Sequence, residues 1–181
     1  MTKLLKLFFS ISIIILMFSC GKDDDPAAKG DLEGDWTATA YSATIETSSA
    51  GVGLSTIVAE GTSFDYDLNL DGSMFTTSGS YSANQTVTTA GFTQSNAVDY
   101  ANISGSGTYT VDGNTMTIEG SFFDFEAAGM SFTGGGEMQT ATFEINSDGE
   151  LILNQNETIT DSSNGITVDA KIVSSSTWVR K

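Results

Sequence analysis

The chain has 181 residues and a formal charge of −16, from 23 acidic and seven basic residues, with no histidine. No Lys or Arg lies between Lys29 and Lys171, so the body of the chain has nothing to replace phosphate counterions, and nucleic-acid binding is excluded. The missing histidine removes the commonest general base, the Ser–His and Cys–His nucleophile pairs and the usual zinc ligand. The composition therefore reads as a binding or structural protein, not an enzyme, with no metal and no cofactor.

Lys3 and Lys6 form a positive start, followed by the apolar run Leu7–Phe18. That run is shorter than the about 20 residues a membrane-spanning helix needs and suits a secretory signal. A buried apolar helix would not stand uncapped at the first residues and run straight into an acidic stretch. Met17-Phe18-Ser19-Cys20 then resembles the lipobox of bacterial lipoproteins. The resemblance implies that Cys20 takes lipid on its sulfur and becomes the new N-terminus after cleavage. Cys20 is the only cysteine, so it has no internal disulfide partner. Each acyl methylene contributes about 0.8 kcal/mol to membrane attachment. The following Gly21-Lys22-Asp23-Asp24-Asp25 resembles the surface-export signal of Bacteroidota lipoproteins, which implies display on the outer membrane and access to partner proteins there. Pro26–Gly30 reads as a short spacer. The expected organisation is a signal peptide over 1–19, a lipidated cysteine and acidic tether over 20–30, and one domain over 31–181.

From Asp31 onward the period is two and no long helix is predicted. Asp35–Glu46 reads as a first strand. Leu54–Glu60 is a short strand or a lid loop. Phe64–Leu70 alternates, with Phe64, Tyr66, Leu68 and Leu70 on one face. Asp71-Gly72 marks a hairpin turn and Ser73–Ala83 returns. Asn84–Val98, rich in Thr and Asn, is either another hairpin or a loop. Tyr100–Val111 and Asn114–Phe125 flank a turn at Asp112-Gly113. Ala127–Gly136 is expected to be a flexible connection. Glu137–Ile145 and Leu151–Ile159 flank Ser147-Asp148-Gly149, and a last hairpin turns at Asn164-Gly165 and runs to Val179. This spacing gives about eight antiparallel strands and no room for helical crossovers. A meander of this kind loses its exposed edges by closing into an up-and-down β-barrel, with a two-sheet β-sandwich as the alternative.

Gly34-Asp35-Trp36 opens the first strand, and Ser176-Thr177-Trp178-Val179-Arg180 closes the last. This pairing resembles the lipocalin superfamily, more closely the lipocalin-like lipoproteins of Bacteroidota. The resemblance implies an all-β barrel plugged at one end by Trp36, with a basic side chain, Arg180, packed over it. Trp178 shares a strand face with Arg180 and joins the plug. It also implies a small, mostly apolar ligand held inside the barrel.

Three residue groups are weighed as sites. Asp67-Leu-Asn69-Leu-Asp71-Gly72 matches the first half of a calcium loop, but the twelfth position is Ser78 where a Glu is required, so it reads as a strand entering a hairpin. Asp124 and Glu126 share a strand face, and paired carboxylates can hydrolyse sugars. In so acidic a chain they read as a solvated face. Phe122, Phe123, Phe125, Met130 and Phe132 form the densest apolar stretch. They either line the mouth of a hollow barrel as its ligand-binding residues or pack a filled one.

Overall fold

The computed structural model describes residues 29–123, 126–127, 130–131, 138–163 and 166–181. The expected signal peptide over 1–19, Cys20 and the expected tether as far as residue 28 lie outside these residues, whereas Lys29 and Gly30 are described. A single helical turn, α1 (Lys29–Leu32), leads into β1 (Gly34–Ser49), β2 (Val52–Asp71), β3 (Met74–Thr89), β4 (Phe92–Asp112) and the short β5 (Thr115–Glu119). Two small strands, β6 (Glu126–Ala127) and β7 (Met130–Ser131), pair only with each other. The wall resumes with β8 (Met138–Ile145), β9 (Leu151–Ser163) and β10 (Ile166–Arg180). Eight strands close in the order β1-β10-β9-β8-β5-β4-β3-β2, all antiparallel. This is the up-and-down barrel that the period-two pattern predicts, and the sandwich is not formed.

The alternation also explains which face is which. On β2, Tyr66, Leu68 and Leu70 point inward and are at most 1% exposed, while Asp65, Asp67 and Asn69 line the outside. On β1 the inward set begins as Trp36 and Ala38 and continues as Tyr41, Ala43 and Ile45. The change of parity coincides with a register break between Ala38 and Ala40. An extra residue there restores apolar side chains to the core face and bends the strand. Further breaks lie at Gly61/Ser63 and Gly79/Tyr81. The result is a mostly apolar inside and an outer wall dominated by Thr, Ser, Asn and Asp. That polarity is the reverse of a lipid-embedded barrel, whose outer band is apolar. Among the described residues no helix is long and apolar enough to cross a membrane.

Two ends can be distinguished. One carries α1 and the turns after Asp71, Asp112 and Ile145. At the other, the long β1–β2 and β3–β4 ribbons turn at Ala50-Gly51 and Ala90-Gly91. All four of these turn residues have positive φ: 51°, 77°, 49° and 83°. Two such residues in a row match the twist of a hairpin. The Thr- and Asn-rich stretch 84–98 is thus strand on both sides of a turn, and Leu54–Glu60 is an inner length of β2. Asn164-Gly165 lies outside the described residues.

Candidate functional site

The α1 end is sealed by contacts between the two ends of the domain. Trp36 is fully buried, and its Nε1 donates to the Leu32 carbonyl at 2.9 Å. Arg180, paired with Trp36 across β1 and β10, places its Cζ 4.4 Å from the Trp36 ring centroid. Its Nη1 donates to the Glu33 carbonyl at 2.8 Å, and its Nη2 donates to the Asp31 carbonyl. The guanidinium therefore bonds two carbonyls at the end of α1 while covering the indole. Gly34 makes room for it: its φ is +135°, and a Cβ there would sit 2.9 Å from Nη1. Beside it, Lys181 Nζ donates to Asp67 Oδ2 at 2.7 Å. Trp178 turns inward above Trp36 and donates from Nε1 to Ser176 Oγ at 2.9 Å.

Above this seal lies an aromatic floor. Phe123 stands with its ring centroid 4.2 Å from Tyr41 and 5.3 Å from each of Tyr66, Tyr81 and Trp178. Phe122 meets Phe75 edge-on at 4.7 Å. Both phenylalanines belong to the main buried cluster. The chain reaches them by turning inward after β5 at Gly120, whose φ is +126°. Tyr66 fixes the segment by donating from its hydroxyl to the Phe122 carbonyl at 2.8 Å. The alternation pattern shows Tyr66 as a core residue but not as this anchor, because its partner comes from a segment outside the alternation. Burial pushes the Tyr41 phenol well above its usual range, with smaller contributions from Tyr81 and Tyr100.

Higher in the barrel the inner wall carries a polar layer. Gln85 donates to the Tyr100 hydroxyl at 2.7 Å, Gln155 donates to Gln139 at 2.9 Å, and Ser174 donates to Gln155 at 3.0 Å. Beyond it Ile172, Ile45, Ile57 and Val87 form one cross-strand row, in which Ile45 and Ile57 are 2% and 1% exposed.

The outside of the wall is not smooth. A groove of about 630 Å³ runs over β5, β8, β9, β10, β1 and β2, with Thr115, Asn154, Ser175, Ser42, Val58 and Glu60 among its lining. A second of about 680 Å³ lies along the β1–β2 ribbon towards Ala90 and Gly91. Val52, Leu54 and Phe92 are exposed near the ribbon tips.

The remaining candidates fall as follows. Asp67 and Asn69 belong to regular strand, Asn69 donating to Asp35 Oδ1 at 2.8 Å. Among the described residues no group of three or more His, Cys, Asp or Glu side chains is placed to hold a metal. Phe125, Phe132 and Asp124 lie outside the described residues, as does Cys20, and only the backbones of Glu126 and Met130 are described, in β6 and β7.

No protein-family model matches the chain, and no curated protein matches it. Among solved structures it is similar to Ail, the attachment invasion locus protein of Yersinia pestis. Identity is 7% over 82% of this chain and 100% of that one, with a TM-score of 0.19. A superposition that loose does not establish a shared fold.

Proposed function

We propose that the chain is a lipid-anchored envelope protein that presents a water-soluble β-barrel at the outer membrane surface and acts by binding on its outer wall. One observation carries the outer-wall part: Phe122 and Phe123 occupy the interior that a ligand would need, while both grooves described above open outward. The anchor rests on the lipobox-like residues ending at Cys20 and on the acidic run behind it. Cell fractionation of Cys20→Ala tests the anchor. The protein is expected to move from the membrane to the soluble fraction, and persistence at the membrane after signal cleavage would remove the anchor.

A second reading keeps the small, mostly apolar ligand inside the barrel. It is favoured by the asymmetry of the wall: α1, Trp36 and Arg180 close one end, whereas β5 and β8 are short beside β4 and β9 at the other. Phe122 and Phe123 would then floor the site. Native mass spectrometry of protein taken from its own cells separates the two. A bound apolar molecule supports the interior site, and a chain that carries none supports the outer wall.

A further inference from the structure

We infer that the outer groove over β5, β8, β9, β10, β1 and β2 binds a neutral, polyhydroxylated chain, that is, an uncharged oligosaccharide; this rests on the outer-wall reading above. The groove is built on one cross-strand rung. Thr115 pairs with Thr142, Thr142 with Asn154, Asn154 with Ser175, Ser175 with Ser42, and Ser42 with Glu60. Strands lie about 4.8 Å apart, so hydroxyl and amide groups recur at roughly the length of a sugar ring. Each hydroxyl and amide both donates and accepts, which matches the mixed needs of sugar hydroxyls.

Two further features add to this rung. Elsewhere on the wall some outer hydroxyls are engaged across strands: Thr86 with Ser95 and Thr88 with Thr93 on β3–β4, and Thr160 donating to the Asp169 carboxylate towards the far end of β9–β10. In the groove, the hydroxyls of Ser42, Thr115, Thr142 and Ser175 and the amide of Asn154 make no such bonds among the described residues, so they are available to a ligand. One rung along, Val58, Thr44 and Val173 lie side by side, with the valines 36% and 42% exposed. They give an apolar footing for the C–H face of a sugar between polar contacts.

Charge sets the class. The groove holds one carboxylate, Glu60, and no cation, within a chain of net charge −16. An anionic polymer is repelled and has nothing to pair with. A polypeptide joins a sheet through backbone groups at an edge, but here the strands already use theirs on each other. The groove volume falls within the roughly 300–1,000 Å³ of small-ligand sites.

The test is titration calorimetry of the full-length protein in zwitterionic detergent with maltohexaose, cellohexaose and mannohexaose. Hexagalacturonate and a Ser/Asn-rich peptide serve as comparisons. At least one neutral hexasaccharide is expected to bind with a micromolar to millimolar Kd that does not change with salt. The double variant Asn154→Ala/Ser175→Ala should weaken it by about tenfold or more at unchanged Tm, whereas Thr76→Ala/Ser78→Ala on β3 should leave it unchanged. No binding of any neutral hexasaccharide at millimolar concentration overturns the assignment, as does binding insensitive to the Asn154/Ser175 change or a preference for the charged sugar or the peptide. None of these results bears on whether the interior is occupied, which native mass spectrometry reads separately.

Discussion

The guanidinium of Arg180 lies over the indole of Trp36, 4.4 Å from its centroid, and at the same time bonds the carbonyls of Glu33 and Asp31. One side chain near the end of the last strand thus joins the helical turn, the first strand and the barrel plug. Cation–π stacking is worth about 0.5–2 kcal/mol, and hydrogen bonds from a charged group about 1.5–3 kcal/mol each when sheltered. Arg180 is partly in solvent, so Arg180→Ala is expected to lose about 2 kcal/mol. Arg180→Lys should recover less than half, because an ammonium cannot stack and fork together. Urea unfolding checks both.

Glycines separate tight packing from mere turn geometry. At Gly79, with φ +125°, a Cβ would sit 2.0 Å from the Asp65 carbonyl oxygen. At Gly113, with φ +60°, a Cβ meets nothing within 4 Å. Gly113→Ala should cost about 1–2 kcal/mol, for the left-handed backbone alone. Gly79→Ala adds steric displacement of β2 and should cost at least about 3 kcal/mol. Thermal or urea unfolding of the pair shows whether the order holds.

Phe123 touches four aromatic rings. Phe123→Ala removes a buried ring and should cost about 3–5 kcal/mol. Urea unfolding of wild type and variant checks it, and an unchanged midpoint would contradict it.

The Lys181–Asp67 pair predicts a pH window. Burial pushes the Asp67 carboxyl up, but hydrogen bonds from Lys181 and Thr37 and the Lys181 charge outweigh it and hold the group below its usual range. Lys181 is raised, chiefly by its bond to Asp67. A lowered carboxylate contributes stability that is present above its unfolded pKa and lost as pH falls through the folded one. A raised lysine contributes stability that is present below its unfolded pKa and lost as pH rises through the folded one. The stability gap between wild type and Asp67→Asn should therefore stay level across neutral pH. It should shrink below about pH 4 and again above about pH 10. Urea midpoints of both proteins across pH give the curve, and a gap that peaks at acid pH would contradict it.

With 23 acidic residues and seven basic, self-repulsion is long-range and screened by salt, since the Debye length falls from about 30 Å at 0.01 M to about 8 Å at 0.15 M. Tm should rise by several degrees over that range. Calorimetry in sodium chloride checks it, and a flat response would mean that the charges lie too far apart to repel.

Much of the barrel was legible in the sequence because its devices are local. Alternation along Phe64–Leu70 gives the inner face, and Asp71-Gly72 and Asp112-Gly113 mark turns that the structure contains. The ribbon turns escaped because Ala50 and Ala90 adopt positive φ without the Asn or Asp that usually announces it. Phe122 and Phe123 could not be assigned between lining and core, since Gly120 swings them inward outside the strand period. The outer groove was not legible at all. Its rung joins residues from six strands, and only the register, shifted on either side of β1 by the breaks between Ala38 and Ala40 and between Thr37 and Ser42, sets them side by side.

The pairing of β1 with β10 along twelve residue pairs has a consequence for how the molecule is made. The chain is made from its N-terminus, so β1 emerges first and must wait for β10 while everything between is synthesised. Until then β1 is an open edge, able to pair with any other strand it meets. Closure joins sites far apart in sequence and is correspondingly slow. A copy cut short before Arg180 loses the latch on Trp36, and one cut before β10 never closes. Synthesis and closure are thus coupled: only the last strand to arrive covers the edge of the first, and a copy that lacks it keeps that edge unpaired.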